Sequence, residues 1–184
     1  MRFIESPVIE PPVRDALFSI QQDNGSFYIG TTVWLYSLIL RAVEMGTDCG
    51  AAGMGLHLLG LQNIILTDIA PVMPALKRNL KSSKPLYWTN SDQIKALSLP
   101  FDLVIATDTV YIKDTVAPLV SSMEALIGDT GTVLLGYQLR SPEAHHLFWE
   151  ICSRVFDIQK VPHWHLHPEY AYEEADVYIL RKKL

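Results

Sequence analysis

Apolar runs alternate with amphipathic stretches along most of the chain. Short runs rich in Val, Ile and Leu predict strands, and they lie at residues 63–68, 86–88, 101–108, 131–139, 156–161 and 175–182. Strands that are buried on both faces of a parallel sheet show such near-continuous apolar runs. The pattern therefore predicts an α/β fold, with a mostly parallel sheet covered by helices on both faces.

The stretches between these runs carry helix signals. A helix is predicted over residues 71–81, with a proline near its first turn. A second helix, over 115–127, is expected to close at Gly128. A third, over 141–155, is expected to begin at the N-cap Ser141.

The N-terminal part of the chain has a different pattern. Residues 16–29 alternate around an Asp-Asn-Gly sequence, which predicts a β-hairpin placed before the main sheet. No repeat, low-complexity tract or linker divides the chain. We therefore expect a single domain over residues 1–184, made of an N-terminal extension (1–30) and a core (31–184).

The composition and net charge exclude several classes of protein. With 184 residues, 49% of them hydrophobic, the chain is long and apolar enough to bury a full core. Its net charge of −5 argues against a nucleic-acid partner, and its longest apolar stretch, at 32–40, is about half the length of a membrane span. The N-terminus lacks the apolar core of a signal peptide, and two cysteines give no disulfide framework. We expect a cytoplasmic protein, with the nucleus as an additional location.

Candidate functional residues lie where the predicted strands end. A glycine loop, "EMGTDCGAAGMG", spans residues 44–55, and acidic residues end two strands at Asp68 and Asp108. In open α/β sheets, ligands bind beyond the carboxyl ends of the strands. We expect these acids and the loop at 46–50 to lie around one hollow.

These motifs resemble a known family. "VEMGTDCGAAGMGLHLLGLQNIILTD", "LYW", "FDLVIATDTVY" and "GTVLLGYQLRSPE" are similar, in order and spacing, to the class I S-adenosylmethionine-dependent methyltransferases, and within them to the methyltransferase-like 21 group of protein-lysine methyltransferases. The resemblance covers residues 30–183. It implies a doubly wound seven-strand sheet whose last strand is antiparallel, S-adenosylmethionine as cofactor, and methyl transfer to a lysine of a chaperone, ATPase or translation factor.

The resemblance also implies residue roles. At the mouth for the target lysine, the catalytic positions are Asp108 and Tyr111. The cofactor-binding positions are a Trp before the glycine loop, five loop residues, the acid for the ribose, the Trp beside the adenine and a Thr against the cofactor, which fall on Trp34, Glu44, Gly46, Thr47, Asp48, Gly50, Asp68, Trp88 and Thr107.

Each role has a structural alternative. Asp68 and Asp108 could cap the helices that follow them, and Tyr111 could pack on the sheet. Trp34 and Trp88 could belong to the core. "HWHLH" could form a metal site with His163, His165 and His167, although no carboxylate or thiol motif accompanies it, and substrate contact is the favoured role.

The sequence departs from the family at three places. Asp48 replaces a glycine that lets the backbone approach the methionine end of the cofactor. Ser37, Arg41 and Glu44 form one polar stripe, which predicts a helix over 33–44. That helix would leave the first strand short or missing, as if a splice or gene-model variant had removed the segment before the loop. Leu35 stands where relatives often carry a polar residue.

Two functions of different classes follow. The first is a protein-lysine methyltransferase. The second is a methyltransferase-fold protein that binds other proteins and whose cofactor loop is impaired by Asp48 and the missing strand. Methyl transfer to a small molecule or a nucleic acid comes third, and the acidic charge counts against nucleic acid.

Overall fold

The computed structural model describes residues 8–9, 12–13, 16–17, 20–21, 40–48, 50–58, 60–61, 63–79, 83–97, 99–166 and 173–183. The strands are β1 (Val8–Ile9), β2 (Pro12–Val13), β3 (Ala16–Leu17), β4 (Ile20–Gln21), β5 (Arg41–Met45), β6 (Asn63–Asp68), β7 (Ser83–Pro85), β8 (Phe101–Thr107), β9 (Ile127–Gln138), β10 (Phe156–Lys160) and β11 (Ala175–Lys182). The helices are α1 (Ala51–Leu58), α2 (Met73–Asn79), α3 (Ser91–Lys95), α4 (Lys113–Leu126), α5 (Pro142–Val155) and a 3-10 helix (His163–His165).

Seven strands form one sheet, in the order β10-β11-β9-β8-β5-β6-β7. Strands β7, β6, β5, β8 and β9 run parallel to one another, whereas β11 runs antiparallel to both β9 and β10. The predicted α/β sheet with an antiparallel last strand is therefore confirmed.

The central strand of the sheet, β5, corrects the sequence analysis. Residues 41–45 pair with β6 and β8 instead of forming a helix, so the first strand is present and five residues long. Arg41 is tolerated because it lies at the amino end of β5, where its Nη1 donates to the Pro100 carbonyl at 3.1 Å and its guanidinium stacks over the Phe101 ring. The predicted shortening before β5, together with Trp34 and Leu35, lies outside the described residues.

Strand register brings the candidate residues to one edge. Met45 pairs with Thr67 of β6 and with Ala106 of β8, so these three strands end at the same level. The glycine loop follows β5, Asp68 is the last residue of β6, and Asp108 follows β8 directly. Parallel strands carry the residues at their carboxyl ends to a common edge, which is where the sequence predicted the hollow.

Two predicted boundaries are wrong. Strand β7 precedes the predicted "LYW" strand: it ends at Pro85, although the Leu86 amide still donates to the Asp68 carbonyl at 2.8 Å. Gly128 does not close α4, because the helix ends at Leu126 and the extended Ile127 leads directly into β9.

Short antiparallel strand pairs lie in the N-terminal extension. Strand β3 pairs with β2, and β4 pairs with β1. Residues 22–29, which contain the Asp-Asn-Gly sequence of the predicted hairpin, lie outside the described part of the chain.

The main core lies where helices α4 and α5 pack against strands β8, β9 and β10 of the sheet. Leu119, Met123 and Phe148 are fully buried there, and burial of such a side chain stabilises the fold by about 1.5–3 kcal/mol. Cys152 is buried in the same cluster, which raises the pKa of its thiol to about 12. In the described ranges, no helix has both the length and the apolar character of a membrane span.

Candidate cofactor and substrate site

A cavity of about 590 Å³ opens at the carboxyl edge of the sheet. Its volume is within the range of about 300–1,000 Å³ that small-molecule and cofactor sites occupy. Seven of the predicted site residues line it: Gly46, Asp48, Asp68, Trp88, Thr107, Asp108 and Tyr111. The structure therefore brings most of the predicted site together around one hollow.

The glycine loop needs Gly46 for its shape. Its φ of +63° is in the left-handed region, and a Cβ there would lie 3.1 Å from Thr109 Cγ2 and 3.5 Å from Trp88. The loop is tied to the sheet by the Thr47 amide, which donates to the Thr67 carbonyl at 3.1 Å. Backbone therefore forms this wall of the cavity, as a close-fitting cofactor requires.

Asp68 is a hydrogen-bond acceptor at the cavity wall. It is 8% exposed, and its two carboxylate oxygens accept from the Asp48 amide at 2.8 Å and the Ile69 amide at 2.7 Å. It does not cap α2, which begins five residues later at Met73. Each carboxylate oxygen has a second lone pair, so Asp68 can also accept from a ligand hydroxyl.

Asp48 adds negative charge to the cavity. Its φ of +50° is uncommon for a residue with a side chain. Burial raises the pKa of its carboxyl, and the nearby Asp68 and Asp108 carboxylates raise it further. Three acids thus converge on this hollow, which favours a ligand that carries positive charge.

Three predicted residues of the loop do not line the cavity. Glu44 is almost fully buried and accepts from the Gly53 amide at 2.9 Å, so it ties β5 to α1. Burial raises the pKa of Glu44, against the opposing effect of the hydrogen bond from the Gly53 amide. Thr47 and Gly50 are buried in the loop, where Gly50 donates to the Thr47 carbonyl at 2.7 Å.

Trp88 fits both predicted roles, contact with the cofactor and packing in the core. It lines the cavity and also packs, partly buried, against the main core. Its carbonyl accepts from the Ser122 hydroxyl at 3.0 Å, which fixes the backbone of the segment after β7 to helix α4.

The mouth of the cavity is formed after β8. Asp108 has a φ of +52°, and its amide donates to the Gly136 carbonyl of β9 at 2.9 Å. It does not cap α4, whose N-cap is Ile112. Tyr111 is 54% exposed at the mouth and does not pack on the sheet.

Sequence reasoning missed Arg140, which lines the same mouth. Its Nε and Nη2 atoms donate to the two Asp108 carboxylate oxygens at 3.0 and 2.7 Å. The position of Arg140 in the sequence could have indicated it, because it lies two residues after β9, the strand that neighbours β8. Thr109 was also missed; it lines the cavity, and its buried hydroxyl has no hydrogen-bond partner among the described residues.

The histidine motif does not form a metal site in the described part of the chain. His163 and His165 lie in a 3-10 helix and not on a strand, and His167 is outside the described residues. The His163 Nε2 lies 3.1 Å from an Asp176 oxygen that also pairs with Lys160 at 2.8 Å. No cluster of three or more potential metal ligands occurs among the residues described.

The cavity fits S-adenosylmethionine on structural grounds. Gly46 keeps one wall free of side-chain atoms, and Asp68 offers acceptor oxygens of the kind that a ribose diol needs. Trp88 supplies an aromatic surface, and the converging acids suit a ligand with a sulfonium and an ammonium group.

Solved structures identify the class of the fold. The chain is similar to a TehB-like S-adenosylmethionine-dependent methyltransferase from Corynebacterium glutamicum, with 16% identity, a TM-score of 0.58, and coverage of 78% of this chain and 80% of that one. Fibrillarin from Aeropyrum pernix, crystallised with natively bound S-adenosylmethionine, matches with 16% identity and a TM-score of 0.54 over 77% of this chain and 66% of that one. The fold is that of S-adenosylmethionine-dependent methyltransferases.

Sequence comparison identifies the family within that class. Residues 36–154 match the family described as lysine methyltransferase, and the chain belongs to this family. Protein N-lysine methyltransferase METTL21A of Mus musculus is 25% identical over 89% of this chain and 83% of its own length. EEF1A lysine methyltransferase 3 of Xenopus tropicalis is 25% identical over 63% of this chain and 55% of its own length. The resemblance found in the sequence to a protein-lysine methyltransferase family is confirmed.

Proposed function

We propose that this protein transfers a methyl group from S-adenosylmethionine to the ε-amine of a lysine that another protein presents at the mouth of the cavity. The observation that carries this proposal is the placement of Asp108 and Tyr111 at the mouth, beside the glycine loop and Asp68. The same hollow thus offers both a cofactor cradle and polar groups for an amine.

The cofactor would be held by the residues of the inner wall. The backbone at Gly46 would permit close approach, Asp68 would accept hydrogen bonds from ligand hydroxyls, and Trp88 would offer an aromatic surface to the base. When bound, S-adenosylmethionine supplies an electrophilic methyl group attached to a positively charged sulfur. The Asp48 carboxylate contributes negative charge that favours this cation.

Asp108 and Tyr111 would position the acceptor amine. An amine attacks in line only when it is neutral and lies about 3–3.5 Å from the methyl carbon. The carboxylate of Asp108 accepts a hydrogen bond from the amine, and the hydroxyl of Tyr111 can accept or donate one. An aromatic, partly dehydrated mouth also lowers the pKa of a lysine and frees its lone pair.

A protein substrate suits the surface around the mouth. Five of the large apolar side chains that are exposed follow the ends of β6, β7, β8 and β9, and these are Ile69, Tyr87, Tyr111, Ile112 and Leu139. Exposed apolar patches of this kind serve as protein interaction sites. Small-molecule methyl acceptors need no such rim, so this feature favours a macromolecule.

The charge of the protein favours a protein over a nucleic acid. The net charge is −5, and Asp48, Asp108 and Asp114 line the cavity. Phosphate backbones and anionic membrane surfaces would be repelled by these acids. Of the chaperone, ATPase and translation-factor substrates that the family resemblance implies, the translation factor is favoured, because one relative is named for methylation of EEF1A. Such a substrate would place the enzyme in the cytoplasm, with the nucleus as a second location.

Labelling of a cell lysate tests this proposal. Purified protein and S-adenosylmethionine with a tritiated methyl group should label a discrete protein band, and mass spectrometry should find the label on lysine. Asp108→Asn should abolish the band, whereas Asp157→Asn, the same change on the exposed strand β10, should leave it unchanged. Binding of S-adenosylhomocysteine without any labelled band would instead support the protein-binding alternative.

A further inference from the structure

Arg140 and Asp108 form a two-point ion pair at the mouth. Arg140 Nε donates to one Asp108 oxygen at 3.0 Å, and Nη2 donates to the other at 2.7 Å. Each side chain is 49% exposed, so the pair faces the entrance of the cavity. The carboxylate assigned to the acceptor amine is therefore already bound by a fixed cation.

The fold holds this pair in place from both sides. Asp108 follows β8 directly, and its amide continues the ladder to β9 by donating to Gly136. Arg140 lies between the end of β9 and the start of α5, where the Ser141 hydroxyl accepts from the Ala144 amide at 3.3 Å. Two-point pairing restricts a guanidinium more than a single contact does. The cation is thus held by a strand end, a capped helix and its partner carboxylate.

The other acidic groups at the cavity wall work against a neutral amine. They come from the loop after β5, the end of β6 and the start of α4, and they are Asp48, Asp68 and Asp114; the remaining titratable side chains there are the phenols Tyr87 and Tyr111, after β7 and β8. Negative charge near an amine stabilises its ammonium form. Attack on the methyl carbon requires the neutral form, so an acidic mouth alone would oppose the reaction. Among the residues that line the cavity, Arg140 is the one basic side chain described.

We propose that Arg140 is a positioning residue for methyl transfer: it orients the Asp108 carboxylate and, as a fixed cation, keeps the incoming amine neutral. This inference rests on the proposed function. Its electrostatic part is a like-charge effect, in which the guanidinium disfavours a second cation beside it. The paired Asp108 can still accept one hydrogen bond from the amine, because each of its oxygens has another lone pair.

The pH dependence of kcat tests this role. The acidic limb of a kcat profile reports groups in the enzyme-substrate complex, which here include the amine. The assay uses the protein identified by lysate labelling, at saturating concentration, with S-adenosylmethionine. A unit charge at about 6 Å, in an effective dielectric of about 40, shifts a pKa by about one unit. Arg140→Gln should therefore move the acidic limb about one pH unit higher and lower kcat about tenfold below that limb.

Two variants separate this effect from a general structural one. Arg140→Lys retains the charge but not the two-point contact, so its limb should stay near the wild-type position while kcat falls. Arg181→Gln removes an arginine from β11, away from the mouth, and should change neither quantity. Circular dichroism and S-adenosylhomocysteine affinity, both unchanged, should verify that the variants are folded.

An acidic limb that does not move in Arg140→Gln would overturn this inference. If that variant does not fold, Arg140→Met provides the second test, because it also removes the positive charge and should move the limb to higher pH; an unmoved limb would again overturn the inference. A wild-type protein that labels no protein at all would overturn the proposed function and this inference together. The two failures are therefore distinguishable.

Discussion

Two glycines of α1 should respond in opposite ways to the same substitution. Gly53 is buried, and its amide donates to Glu44 Oε2 at 2.9 Å. A Cβ on Gly53 would lie 2.5 Å from that oxygen and 3.0 Å from Leu66 side-chain atoms. A Cβ on Gly55 would meet nothing within 4 Å. Gly53→Ala should therefore destabilise the protein, whereas Gly55→Ala should stabilise it.

The structure sets the size of each effect. Alanine at Gly53 would gain about 1 kcal/mol of helix propensity, but it would push the buried Glu44 carboxylate from its hydrogen bond at a cost of about 1.5–3 kcal/mol. Overpacking against Leu66 adds about 1–3 kcal/mol. The net loss for Gly53→Ala is about 1.5–5 kcal/mol in the free energy of unfolding. Gly55→Ala retains only the propensity gain, about 0.5–1 kcal/mol.

Urea unfolding followed by circular dichroism at 25 °C measures both changes. The midpoint for Gly53→Ala should fall and that for Gly55→Ala should rise, with similar slopes. Gly53→Ala should also weaken S-adenosylhomocysteine binding, because the same contact fixes the loop at 46–50 against α1. Equal midpoints for the two variants, or a rise for Gly53→Ala, would refute the proposed packing of Glu44.

Three further predictions follow from the same geometry. Burial raises the pKa of Glu44, so Glu44→Gln should be more stable than wild type at pH 7. Urea unfolding measured across pH should show this advantage shrinking as the pH falls through the raised pKa and vanishing below the ordinary glutamate pKa of about 4.3. Asp68→Ala removes the acceptor for two amides, so it should lower the free energy of unfolding by about 2–4 kcal/mol. It should also abolish micromolar S-adenosylhomocysteine binding in calorimetry; unchanged affinity would contradict a role of Asp68 in cofactor binding. Tyr111→Ala truncates an exposed side chain, so the free energy of unfolding should change by less than about 0.5 kcal/mol. In the same variant, kcat/KM for the protein substrate should fall at least about tenfold, and an unaltered kcat/KM would contradict a role of Tyr111 in positioning the substrate.

Much of the fold was predictable because its strands are buried on both faces. Strands β6 and β11 match the predicted ranges, since continuous apolar runs have few alternative structures in a domain of this size. The end of such a run also marks the end of a strand, which is why Asp68 and Asp108 could be placed at one edge. Ser141 was predictable as a cap from local chemistry alone.

Strand β5 was not predictable because its polar residues are satisfied by distant groups. Arg41 and Glu44 have helix-like spacing, and nothing local shows that their partners are Pro100 and Gly53. Arg41 within a central strand is costly unless it is paired, so the sequence alone argued against a strand. The tertiary contacts reverse that argument, since they supply the missing partners.

The pairing of Arg140 with Asp108 was missed for a related reason. The two residues are separated by 32 positions, and they meet only because β8 and β9 are neighbours in register. The sequence showed that both strands exist but not which side chains project toward one another beyond their ends. The charge balance of the mouth thus depends on topology and could not be obtained from composition.

The central claim is that the cavity around Gly46, Asp68 and Trp88 binds S-adenosylmethionine despite the acid at Asp48. Isothermal titration of the wild-type protein with S-adenosylmethionine tests it most directly. We predict one site per chain with a Kd in the micromolar range. No binding heat at millimolar ligand, with a folded protein, would contradict it.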